Sequence, residues 1–111
     1  MSEINYNDFQ KVEIRVGRII KVEEFLEARN PAFKLEIDFG ELGIKKSSAQ
    51  ITDLYSKENL MGKLVVCVTN FPKKQIANFF SEVLTLGFVQ KDNSVVLISP
   101  DKEVELGLRL C

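Results

Sequence analysis

Histidine and tryptophan are absent from this 111-residue chain. Without an imidazole there is no Ser-His or Cys-His nucleophile pair, and the commonest general base and metal ligand are missing. Only two cysteines occur, Cys67 and Cys111, which is too few for a disulfide framework and leaves no zinc-ligand spacing. Cys67 lies within the apolar run Leu64-Val65-Val66-Cys67-Val68 and reads as a small buried hydrophobe, while Cys111 ends the chain and reads as exposed. Neither sign of charge is in excess. The 15 basic and 16 acidic side chains leave a net charge of −1, so polyanion binding by bulk charge is excluded and must come from a local patch. No apolar run approaches the roughly 18 residues of a membrane-spanning helix. Residues 1–8 are acidic and polar, unlike a signal peptide. Together these absences predict a reduced, cytoplasmic protein without membrane insertion, and a binding module rather than an enzyme. No cofactor, metal or catalytic constellation is expected.

Hydrophobic residues make up 45% of the chain, enough to bury a core in one domain spanning residues 1–111. Residues 5–11 predict a short helix capped by Asn5 or Asn7, with Phe9 and Val12 on its apolar face. Over residues 12–22 apolar and charged side chains alternate, the pattern of a half-buried strand, and Gly17 in its middle predicts a bulge or bend. Residues 27–31 read as a loop around Asn30-Pro31. From Phe33 to Phe39 every odd position is apolar and every even one charged, the strongest strand signal in the chain. Residues 40–43 make a hairpin turn and 44–49 a return strand. Gly40-Glu41-Leu42-Gly43 also matches the GxxG loop of a KH module, but strands flank it where that module needs helices.

Leu54, Tyr55, Leu60 and Met61 predict an apolar side on one or two helical turns within residues 52–61, stopped by Gly62. The continuous apolar run 64–68 predicts a strand buried on both sides. Residues 73–80 read as irregular or briefly helical. Strands resume at 82–88 and 95–98 across an Asp92-Asn93-Ser94 turn, and 104–110 form a short apolar tail. Three strands, a helical connection and further strands predict an all-β, five-stranded OB-fold barrel. A short helical connection would join strands 3 and 4, with short terminal extensions. An SH3-like or other small all-β barrel is the alternative.

Several phrases in order along the chain resemble the tRNA-binding-domain family of OB-folds. They are Ile14-Arg15-Val16-Gly17, Ala32 with Lys34-Leu35, Asp38 with Gly40, Ser48-Ala49-Gln50-Ile51, Tyr55 through Glu58, Leu60, Gly62-Lys63, Val68 with Asn70, and Ser81-Glu82 with Leu86. Ser47-Ser48-Ala49-Gln50-Ile51-Thr52, Asn70-Phe71-Pro72 and Ser81-Glu82-Val83-Leu84 resemble its CsaA-like branch of free-standing, export-related chaperones. The resemblance implies a homodimer that binds unfolded or presecretory polypeptides and assists protein export, with the export machinery as a further partner. The alternative it implies is a structure-specific tRNA binder using the same barrel face.

The resemblance gathers Ser48, Asn70 and Ser81 near one pocket, where each is able to address a peptide backbone, a base edge or a ribose hydroxyl. Phe71, Phe79, Phe80 and Leu84 are the apolar contacts of the peptide reading. Phe79 and Phe80 are neighbours, so on an extended segment only one points inward. In the tRNA reading Lys34, Lys45, Lys46, Lys73 and Lys74 take phosphates, with Ser48, Asn70 and Ser81. Relatives that bind tRNA carry a cation and glycine where this chain has Ala77 and Asn78, methionine in place of Leu84, and a polar group in place of Phe80. The lost cation and added aromatic surface favour polypeptide. Asn78 is expected to take the left-handed backbone conformation available to the glycine.

Overall fold

The computed structural model describes residues 1–111. Helix α1, Tyr6–Gln10, is started by Asn5. The Asp8 N–H donates to Asn5 Oδ1 at 2.9 Å and the Asn5 N–H to Asp8 Oδ2 at 3.2 Å, a reciprocal cap. Strand β1, Ile14–Glu24, is followed by β2, Phe33–Asp38, a single 3-10 turn at Gly40–Leu42, and β3, Ile44–Ala49. A helical connection ending in α2, Lys57–Leu60, leads to β4, Leu64–Val68. Beyond it lie β5, Lys74–Ile76, β6, Phe79–Ser81, β7, Leu84–Thr85, β8, Gly87–Val89, and β9, Val95–Leu97.

The main sheet is antiparallel in the order β3-β2-β1-β4-β7. Its two edges meet. The Lys46 carbonyl on β3 accepts the N–H groups of Glu82 at 2.7 Å and Val83 at 3.3 Å. Inside that seam Ser47 Oγ lies 2.9 Å from Thr85 Oγ1, so the buried hydroxyl has a partner. The result is a nearly closed five-stranded barrel of OB-fold type, with the helical connection between its third and fourth strands. Ile19, Leu35, Ile37, Phe39 and Val65 fill the interior, and α2 adds Leu60. The tail runs beside the start of β1, where the Gly107 N–H donates to Val16 O and the Leu110 N–H to Ile14 O, both at 2.8 Å.

The structure corrects several local expectations. β1 does bend so that its first half pairs with β4 and its second with β2, but Gly17 is regularly paired with Val65. The register shift falls between Ile19 and Lys21. There the extra residue reverses the phase, so Ile19 and Val22 both turn toward the core while Lys21 and Glu23 turn outward. Leu54 and Met61 are exposed, leaving Tyr55 and Leu60 as the packing contacts of their segment. Residues 73–80 are neither irregular nor helical but carry the β5–β6 hairpin. The left-handed residue in its turn is Ala77, with φ 53°, rather than Asn78. The expected 82–88 strand divides into β7 and β8 because its first part joins the barrel while its second pairs with β9.

Candidate binding face

Directly opposed residues of an antiparallel pair project from the same side of the sheet. On the outer side of β1, β2 and β3 this makes two rows. Lys21 opposes Glu36, which opposes Lys46; Glu23 opposes Lys34, which opposes Ser48. Over these rows stands a wall built from the β1–β2 loop and the β5–β6 hairpin. Phe25 and Phe79 meet edge to face with ring centroids 5.4 Å apart. Lys34 Nζ lies 4.8 Å from the Phe25 centroid and 5.7 Å from that of Phe79, within cation–π range of both. The cleft between rows and wall has a volume of about 180 Å³ and is lined by Lys21, Glu23, Lys34, Leu35, Glu36, Lys46 and Phe79.

Carboxylates answer most of these cations. Lys21 Nζ is 2.8 Å from Glu23 Oε1 and 3.6 Å from Glu36 Oε2, and Lys34 Nζ is 3.6 Å from Glu27 Oε2. The hydrogen bond between Lys21 and Glu23 raises the lysine pKa and lowers that of the glutamate, so the pair stays fully charged around neutrality. At the hairpin base Lys73 Nζ is 4.0 Å from Glu82 Oε2, and Glu82 Oε1 accepts the Lys46 N–H at 3.0 Å.

Of the residues singled out in the sequence, Lys34, Lys46 and Phe79 line the cleft. Ser48 is beside them, its N–H donating to Ser81 Oγ at 3.1 Å, while that hydroxyl donates to Val83 O at 3.3 Å. Asn70 does not line the cleft. Its Oδ1 accepts the Glu13 N–H at 2.9 Å and its Nδ2 donates to Lys11 O at 2.7 Å, so its amide ties the N-terminal segment to the end of β4. Lys45 opposes Ile37 and projects from the opposite side of β3 to Lys46. Lys74 opposes Ser81 on the hairpin. Phe80 turns outward from Phe79 and is 51% exposed; Phe71 is 55% and Leu84 48% exposed. Lys21, Glu23, Glu27, Glu36 and Phe25 went unnoticed in the sequence. The alternation in β2 signalled Glu36 beside Lys34, but placing Lys21 and Glu23 required the phase reversal of β1.

Elsewhere, a wider hollow of about 390 Å³ lies between the β2–β3 turn and the tail, with Leu42, Leu106 and Leu108 on its wall. Cys67 is buried in the core, and burial pushes its thiol pKa up to about 12 against a smaller opposing hydrogen bond to Thr85. No helix is long and apolar enough to cross a membrane.

An OB barrel whose outer strand face is framed by the β1–β2 loop and the connection after β4 belongs to the class that takes extended ligands on that face. The model of the putative tRNA binding domain matches residues 14–109, and the chain belongs to that family. Similar solved structures include CsaA chaperones and a MetRS-related protein of Pyrococcus horikoshii, with a TM-score of 0.88 at 27% identity over the whole of both chains. The CsaA chaperone of Bacillus anthracis str. Ames superposes with a TM-score of 0.94 at 49% identity, covering 99% of this chain and 100% of the other. That of Picrophilus torridus gives 0.92 at 52% identity, covering 98% and 100%. Among curated proteins, the methionine–tRNA ligase of Archaeoglobus fulgidus is 38% identical over 109 residues, 98% of this chain. The chain spans only 16% of that ligase's length. The matches are thus to a tRNA-binding domain and to chaperones of the same fold, not to a catalytic domain.

Proposed function

We propose that the chain is a homodimeric, chaperone-like binder of unfolded or presecretory polypeptides that acts in the cytoplasm and assists protein export. The observation that carries this reading is the exposure of Phe71, Phe80 and Leu84 on a chain whose cleft charges largely pair off. An extended client lays apolar side chains on these three and on Phe79, and its backbone polar groups meet Ser48 and the rim of the cleft. The full-length likeness to CsaA chaperones supports the same reading. In the dimer, exposed Leu42 and Leu108 at the wider hollow, together with exposed Ile44 and Leu110, are covered by a second copy. Two clefts on one particle then hold a long client by avidity.

The second reading, structure-specific tRNA binding, is favoured by the family match and by Lys34 and Lys46 on one face. Lys73 and Lys74 on the neighbouring hairpin extend it. Parallel titrations separate the two. Retention of segments on a peptide array, with weak tRNA binding at physiological salt, supports the polypeptide reading. Sub-micromolar tRNA binding with a steep salt slope, together with an empty array, overturns it.

A further inference from the structure

The charge pattern of the cleft has a property that neither ligand reading requires. The first row alternates in sign, with Glu36 flanked in register by Lys21 and Lys46. Glu23 is directly opposite Lys34 and only 2.8 Å from Lys21. A phosphate reaching Lys21 must therefore approach two carboxylates, 2.8 and 3.6 Å from its Nζ, and one settling on Lys34 or Lys46 shares the face with Glu23 and Glu36, which stand directly opposite them in register, where like charges repel. A polypeptide backbone, uncharged along its length, meets no such opposition. Discrimination is a difference between two affinities and is gained as well by repelling one ligand as by attracting the other.

We infer that Glu23 and Glu36 are specificity-determining residues that hold a lysine-bearing OB face against polyanions. The inference rests on the reading of that face as a polypeptide site, and it gives the two carboxylates a task beyond cross-strand pairing. Pairing alone affects sheet stability. Repulsion of phosphates affects the electrostatics of RNA binding, and the salt slope tells the two apart.

The test is a titration of unfractionated tRNA against the full chain at several salt concentrations, for wild type, Glu36→Gln, Glu23→Gln and the double variant. Thermal melting establishes that each variant is folded, and the more exposed Glu23 serves where Glu36→Gln fails to fold. Each substitution is expected to tighten tRNA binding at low salt by about three- to tenfold. The log-log salt slope should steepen by about 0.7 to 0.9 for each lysine released onto a phosphate. Unchanged affinity in the folded double variant overturns the inference, as does tighter binding without a steeper slope. Binding of an unfolded polypeptide by the wild-type chain is measured alongside. Failure there removes the polypeptide reading, while the tRNA series still decides what the carboxylates do.

Discussion

At the scale of single residues the barrel is intolerant in places the sequence marks only faintly. A Cβ on Gly17 would lie 2.5 Å from Ile37 Cγ2 and 2.8 Å from Phe39 Cε1, both in the packed interior. Gly17→Ala is therefore expected to destabilise the fold by about 1–3 kcal/mol, read as a lower thermal midpoint, with no extra backbone-strain contribution because its φ is ordinary. A stability equal to wild type would contradict this packing. Cys67 makes a chemical prediction. Its thiol is raised from an ordinary value of 9.0 to about 12, so in the folded chain it stays protonated and inert at pH 8. Alkylation under native conditions should modify Cys111 alone, and denaturant should expose the second thiol. Because the folded pKa is the higher one, the contribution of Cys67 to stability is complete below about pH 9. It declines as pH rises toward 12, since only the unfolded chain ionises in that window. Asn70 shows how residue type alone misleads: an amide suited to a ligand is instead bonded at both ends to Lys11 and Glu13.

At the scale of elements, strong alternation was readable and the β5–β6 hairpin was not. The even charged positions of β2 lie on one side and its odd apolar positions are buried, because a strand's side-chain period of two carries its burial pattern directly. The bulge in β1 was expected at Gly17, whereas its mark in the sequence is the adjacent apolar pair Ile19 and Ile20, which breaks the alternation and shifts every later residue to the other side. The β5–β6 hairpin escaped detection because its Ala77-Asn78 turn lacks the usual Asn-Gly or Gly-X chemistry. It is held in place by Phe79 against Phe25 and by Ser81 against Ser48, contacts made between segments far apart in the chain. The hairpin also carries the choice between ligands. Phe80 points away from the wall and Phe79 into it, so Phe80→Lys should leave the wall intact. We expect it to weaken retention of unfolded polypeptide by about tenfold and to strengthen tRNA binding at low salt. The reverse pair of changes would count against Phe80 as a polypeptide contact.

At the scale of the whole molecule, the two terminal segments are fastened to β1 and β4 yet leave Tyr6, Leu42, Ile44, Leu108 and Leu110 exposed. That much exposed apolar surface predicts self-association. Light scattering at micromolar concentration should report twice the chain mass, insensitive to salt because the contact is apolar, and a monomer would remove the dimer from the proposal. The sequence by itself determined the barrel class, the strand order along the chain and most of the core, since burial on a strand follows from local periodicity. It also determined that a near-neutral chain without histidine has to bind by patches rather than by bulk charge or imidazole chemistry. Only the tertiary structure decided which charges share a surface. Lys34 acquires its aromatic wall from a hairpin some forty residues away, as seen in its contact with Phe79, and Glu36 acquires its two lysines from strands on either side. Lys45 and Lys46, adjacent in sequence, are sent to opposite sides by the strand pleat. Register across strands is set by long-range pairing and by one bulge, and the character of the binding face follows from that register.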